Sequence, residues 1–231
     1  MSGVLHYQPA HAWLRWMPED LEQARTRAAA ADAVQRLQDA GAIALEVHRP
    51  VGSAHTHRVY MHVLRAATGA MLDDASYTHE QHLTRTSDPT LDTARERTWR
   101  GSTLTHRDWV HFDQQRAVLR AQWQTYFQDV GLLITPMATS PAFAHNQTGE
   151  RWKRMIPVNG TLQPSTDSLF WAGYPGVVGL PVTEVPLGLT PSGLPVGAQI
   201  IGDNFNDPLC LDMAHWLENA WRGFTPPPHL A

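Results

Sequence analysis

The 231-residue chain has a single cysteine, Cys210, so an internal disulfide framework is excluded and a reducing compartment fits. It also has a single lysine, Lys153, no two adjacent serines and no Gly-Xaa-Ser-Xaa-Gly elbow. No apolar run approaches the ~18 residues of a membrane span. The amino terminus, Met-Ser-Gly-Val-Leu-His-Tyr-Gln-Pro, has neither a basic start nor an apolar stretch, so no signal peptide is expected. Charged residues make up only 17% of the chain and the formal net charge is −4, which gives no electrostatic footprint for nucleic acid. These absences predict a soluble cytoplasmic protein with neither nucleic-acid nor membrane partners.

What is present is an ordinary apolar fraction of 42%, together with seventeen prolines, sixteen glycines and nine tryptophans. The prolines and glycines predict many loops. The tryptophans need burial in a core, a ligand pocket or a partner surface.

Pro18-Glu19-Asp20 opens a predicted helix whose apolar residues recur through Leu37, and Gly41 closes it. Ala42 to His48 then reads as a strand, so 18–50 forms a helix–strand unit. A helix is expected over 56–74, and 76–103 reads as a polar loop with short helical pieces. A long helix follows from Arg107 to Val130 and runs into a buried strand, Leu132-Leu133-Ile134-Thr135-Pro136. Residues 137–168 form a long excursion rich in proline, glycine and asparagine, a length that raises suspicion of function or of a missing partner. A final helix is expected from Pro208 to Trp221.

The histidines cluster at His55, His57 and His62 and at His79 and His82 around Glu80, without the His-Glu-Xaa-Xaa-His spacing that sets two ligands on one helical face beside a base. Neither a metal nor a cofactor is expected. Cys210, on an amphipathic helix, reads as a small buried hydrophobe rather than a nucleophile.

The most telling stretch is 179–202, in which two strands, 182–187 and 195–201, flank a turn at Thr190-Pro191-Ser192-Gly193. This run resembles the C-terminal signature of the amidase-signature hydrolases, and 18–50, 129–142 and 170–222 are similar to the back half of such an enzyme. One position departs from the common pattern: Gly176 stands where members often carry Asn, three residues before Gly179-Leu180-Pro181.

The resemblance implies an α/β fold, a mixed, mostly parallel sheet covered by helices on both faces, here as a single partial domain spanning 1–231. It also implies hydrolysis of amide carbon–nitrogen bonds by a Ser-Ser-Lys mechanism. A serine is a poor nucleophile until a base removes its proton, and a neutral lysine can do this through a bridging hydroxyl. That set is missing here, since Lys153 lies in the charge run Glu150-Arg151-Trp152-Lys153-Arg154. No catalytic residue is therefore assigned. Phe170, Trp171, Gly176 and Gly179 are the substrate-binding candidates, with plain core packing the competing reading for the two aromatics.

The expected partners are a small-molecule amide, once the catalytic half is supplied, and a second copy or a separate catalytic chain at an exposed sheet edge. The alternatives from other function classes are a non-catalytic scaffold subunit and a zinc hydrolase built on the histidines. Half a sheet buries less apolar area, so the isolated chain is expected to be poorly soluble or to self-associate.

Overall fold

The structure, a computed structural model, describes residues 13–16, 32, 34–41, 43–46, 50–158, 161–221 and 223–226. It divides into two compact units, one formed by Met1–Arg49, Gln124–Ala142 and Leu180–Ala231, the other by Pro50–Trp123 and Phe143–Gly179.

The first unit holds a five-stranded sheet of order β2-β1-β3-β7-β6. Strand β1 (Trp13–Trp16) runs parallel to β2 (Ile43–Glu46) and to β3 (Leu132–Pro136). Strand β7 (Pro195–Gly202) is antiparallel to β3 and to β6 (Val182–Leu189). The sheet is therefore mixed, but its described pairings divide evenly and do not show the expected parallel majority. The physical reason is local. The turn at 190–193 folds β7 straight back on β6, and a short connection of this kind joins only antiparallel strands. Gly193 takes a left-handed φ of +81°, the Thr190 N–H donates to the Leu194 carbonyl at 2.7 Å, and the Leu194 N–H donates to Thr190 Oγ1 at 3.0 Å. The expected hairpin is thus found, with each strand running slightly longer than its pattern indicated.

Every residue of β3 is buried, as its continuous apolar run predicts. Leu132 and Ile134 share a core with Val185, Leu187, Ala198 and Ile200 of the neighbouring strands. Leu133 and Ile201 are themselves fully buried on the opposite face. The C-terminal helix, Asp207–Ala220, adds Cys210, Met213 and Leu217 to the core, so the cysteine is a buried hydrophobe as expected. Burial and the nearby Asp207 push its thiol up to about 11, far from a reactive thiolate. Of the first expected helix, residues 34–39 are described and helical, Val34 and Leu37 enter the same core, and Gly41 follows at φ +93°. The Pro18 opening lies outside the described residues.

In the second unit, α1 (Ser53–Gly69), α2 (Asp74–Thr86), α3 (Ala94–Ser102) and the greater part of α4 (His106–Tyr126) carry the chain. The reading of 76–103 as mostly loop is corrected here, because α2 and α3 are regular helices. Both are polar in composition, and short-range side-chain bonds gather at their starts. The Asp73 carboxylate accepts from the Ser76 N–H at 2.8 Å. Thr93 hydrogen-bonds through its hydroxyl to the carboxylate of Glu96, three residues on, and the fully buried Glu96 also binds Arg95 at 2.6 Å. Asp88-Pro89 separates the two helices.

The excursion at 137–168 also has internal structure. Strands β4 (Met155–Val158) and β5 (Thr161–Pro164) pair antiparallel as a two-stranded ribbon, with Ile156 and Val158 buried. The Asn159-Gly160 dipeptide between two apolar runs is a hairpin signal that the composition-based reading passed over.

Candidate functional site

Phe170 and Trp171, two of the substrate-binding candidates, belong to the second unit. They lie within a short helix, α5 (Leu169–Gly176), which continues through Pro175. Helical spacing sets Trp171 and Tyr174 three residues apart on one face, and Phe170 joins them. The Phe170 and Trp171 rings sit 5.0 Å apart edge to face, Phe170 and Tyr174 5.4 Å apart, and Trp171 and Tyr174 6.2 Å apart. Trp123 of α4 closes the cluster, its ring 5.3 Å from that of Tyr174. Trp171 is buried at 2% exposure, whereas Phe170 is half-buried and presents part of its ring.

Polar bonds hold this helix in place. The fully buried Tyr174 hydroxyl donates to the Val51 carbonyl at 3.0 Å and accepts from the Val51 N–H at 3.3 Å. Arg120 Nε donates to the Val178 carbonyl at 3.1 Å. Gly173 permits the approach to α1, because a Cβ there would lie 2.2 Å from the ring of Tyr60. The close passage at Gly173 is against a side chain of this same unit. Gly176 and Gly179 are exposed, and a Cβ at either would meet nothing within 4 Å. Gly179, at φ +76°, turns the chain out of the helix.

Replacing Tyr174 with phenylalanine is expected to cost about 1–3 kcal/mol of stability, because both buried backbone groups of Val51 lose their partner. Urea unfolding of the variant beside the parent chain measures it, and equal midpoints would show that those groups find other partners.

Two buried polar groups that the sequence does not tie to α5 adjoin it. His57 of α1 faces Phe170 with ring centroids 5.9 Å apart, and its Nδ1 is buried without a hydrogen-bond partner among the described residues. Thr166, in the 3₁₀ turn Ser165–Ser168 that leads into α5, is likewise buried with an unpartnered hydroxyl. Tyr174 could have been found from its spacing to Trp171; His57 and Thr166 carry no such signal.

Burial, reinforced by Arg97, lowers the pKa of His57. His62, stacked on Phe112 at 4.2 Å, is also held below its usual value, chiefly by burial, although its hydrogen bond to the Arg58 carbonyl opposes the shift. In both cases the neutral form is favoured in the folded chain. The unfolded chain therefore binds more protons once pH falls below the ordinary histidine value of 6.5. Thermal stability is expected to fall between pH 7.5 and 5.5, and less steeply in His62→Gln than in the parent chain. An unchanged slope in that variant would dismiss His62 as a contributor.

Lys153 is 72% exposed and pairs with Glu150 at 2.9 Å, which leaves it a solvated surface cation. Glu80, between the paired histidines of α2, accepts a hydrogen bond from Ser102. Among the described residues, no group of three or more His, Cys, Asp or Glu side chains is placed to hold a metal ion. No helix among them is long and apolar enough to cross a membrane.

The architecture resembles that of solved amide-cleaving enzymes. A crystal structure of an amidase aligns with 90% of this chain and 45% of its own length, at a TM-score of 0.64 and 21% identity. A bacterial aryl acylamidase of the amidase-signature family aligns with 94% and 45% at a TM-score of 0.65 and 16% identity. At these identities the likeness shows the fold alone.

The Amidase family model matches residues 12–211, and the chain belongs to that family. A glutamyl-tRNA(Gln) amidotransferase subunit of Synechococcus sp. (strain CC9311) is 33% identical over 107 residues, 46% of this chain and 20% of that protein. Human fatty-acid amide hydrolase 2 is 44% identical over 57 residues, 25% of this chain and 11% of that protein. The chain thus spans a fifth or less of these curated relatives and about 45% of the solved chains.

Proposed function

We propose that this chain is the C-terminal scaffold of an amidase that hydrolyses amide carbon–nitrogen bonds, and that its nucleophile and base come from outside these 231 residues. The carrying observation is the family match across 12–211 in a chain without a serine pair and with a solvated Lys153 as its only lysine. In this reading both compact units belong to one partial amidase-signature domain. A mostly parallel sheet would then arise from strands that these residues do not include. Phe170 and Trp171 form an apolar wall for the acyl or aryl part of a small amide, while Gly176 and Gly179 leave its approach open. His57 Nδ1 and the Thr166 hydroxyl are the buried polar atoms available beside that wall. A cytoplasmic setting, in which Cys210 stays reduced, accords with this role.

The test is turnover of aryl and alkyl amides by the purified chain. No hydrolysis above the uncatalysed rate is expected, and turnover abolished by a serine-directed reagent would overturn the proposal.

A second reading, a non-catalytic subunit that pairs with a separate catalytic chain, draws support from the relatives. The Synechococcus protein is named as one subunit of an amidotransferase, and one solved neighbour, at a TM-score of 0.67, is described as a vestigial protein complex. Amide turnover that appears only when a chain bearing the serine pair is co-expressed would favour it.

A further inference from the structure

Phe205 lies between β7 and the C-terminal helix and combines two costs. Its φ is +62°, a left-handed conformation that bulky residues rarely adopt, and its side chain is 96% exposed. It occupies the position just before the Asn206 cap, where an apolar residue usually folds back on the first turn of the helix. Cys210, its partner in such a staple, is instead fully buried against Gly202. Nothing within the described fold recovers either cost.

The surroundings of Phe205 specify what could cover it. Leu211, on the outer face of the helix, is 59% exposed. Asp203, Asp207 and Asp212 flank these two apolar side chains, and none of the three pairs with a cation among the described residues. An apolar knob with an acidic rim fits an apolar surface with a basic rim.

The β4–β5 ribbon is such a surface. Its register sets Met155 opposite Pro164 and Pro157 opposite Leu162 on one face, with Met155 42% and Leu162 69% exposed. Arg151, exposed at its entrance, forms no ion pair among the described residues and supplies the rim charge, while the half-buried Arg154 beside it donates to the Gln147 and Gly149 carbonyls. A face-to-face contact of two acidic corners would set like charges together, so the complementary arrangement seats a corner on a ribbon.

We infer that the chain self-associates head to tail, with the Phe205 corner of one copy seated on the Leu162 ribbon face of the next. A heterologous contact that does not close into a ring propagates, so species larger than dimers form as concentration rises. Rim charges make the association weaken with salt.

Sedimentation velocity of the purified chain between low micromolar and 100 µM tests this, at about 50 and 500 mM NaCl. The expected result is concentration-dependent growth beyond a dimer, reduced at the higher salt. Phe205→Asn and Leu162→Ser are each expected to sediment as monomers, the first melting no lower than the parent because asparagine tolerates a positive φ, the second at the parent's temperature because its site is exposed. Mixed in equal amounts, the two variants are expected to form a complex that stops at two chains, because one intact corner meets one intact ribbon. A parent chain that stops at a dimer shows a closed symmetric contact and overturns the inference, as does the absence of any complex on mixing. So does a parent chain that stays monomeric throughout, which would leave the remainder of an amidase fold as the occupant of the corner. Amide turnover is not read, so the outcome stands apart from that of the activity assay.

Discussion

Trp123→Ala is expected to lower the unfolding free energy by about 3–5 kcal/mol, the range for removing a large aromatic from a packed core. Trp123 is fully buried and its ring meets that of Tyr174, which in turn contacts Phe170 and Trp171. The void would open inside a ring cluster whose members are fixed from elsewhere, Tyr174 by both backbone groups of Val51 and Trp171 by the helix that carries it. Limited collapse is what moves a cavity substitution toward the upper end of its range. Val118→Ala on the same helix is the control. That side chain is 58% exposed, and its loss is expected to change stability by no more than about 0.5 kcal/mol. Guanidinium unfolding of the two variants beside the parent measures the contrast. A loss below about 1 kcal/mol at Trp123 would mean that the aromatic cluster is not the core of its unit.

This cluster also shows where the sequence was informative. A long helix expected over Arg107 to Val130 carries Trp123, and the structure places that helix at His106–Tyr126 with Phe112, Leu119 and Trp123 buried. The all-apolar run at 132–136 and the Pro/Gly punctuation of 179–202 were legible because burial on both faces and tight turning leave few other residue choices. Helices α2 and α3 were not legible. Their residues are mostly polar, and hydropathy does not register the side-chain bonds at their starts.

The candidate site was legible in part. Phe170 and Trp171 were identifiable as large apolar groups beside a distinctive segment. Their placement on a helix, with Tyr174 between them and Trp123, depends on α1 and α4, which are remote in sequence. Gly173 illustrates the same limit. Nothing local to the sequence marks it as a point of close packing, and only the fold identifies Tyr60 as the group approached. His57 was noticed as a member of a histidine cluster, and its orphaned nitrogen follows from burial that no local pattern encodes.

Ile200→Ala is expected to cost about 2–5 kcal/mol, and it tests the other unit. Ile200 is fully buried and sits in register between Ile134 of β3 and Thr183 of β6, so its side chain packs where the antiparallel half of the sheet meets the C-terminal helix. Backbone pairing on both sides of β7 resists closure of the resulting cavity. Leu189→Ala, on the same hairpin but 60% exposed, is expected to change little. The comparison separates two explanations for the sequence character of 179–202. If the segment is distinctive because it lines a reacting centre, Ile200 should be replaceable at small cost in stability. If it is distinctive because β6 and β7 brace the sheet, the Ile200 variant should unfold at a markedly lower denaturant concentration while Leu189→Ala does not. The burial of Ala198, Gln199, Ile200 and Ile201 in one continuous run favours the second explanation. A strand enclosed in this way acts on a substrate only through what it holds in place.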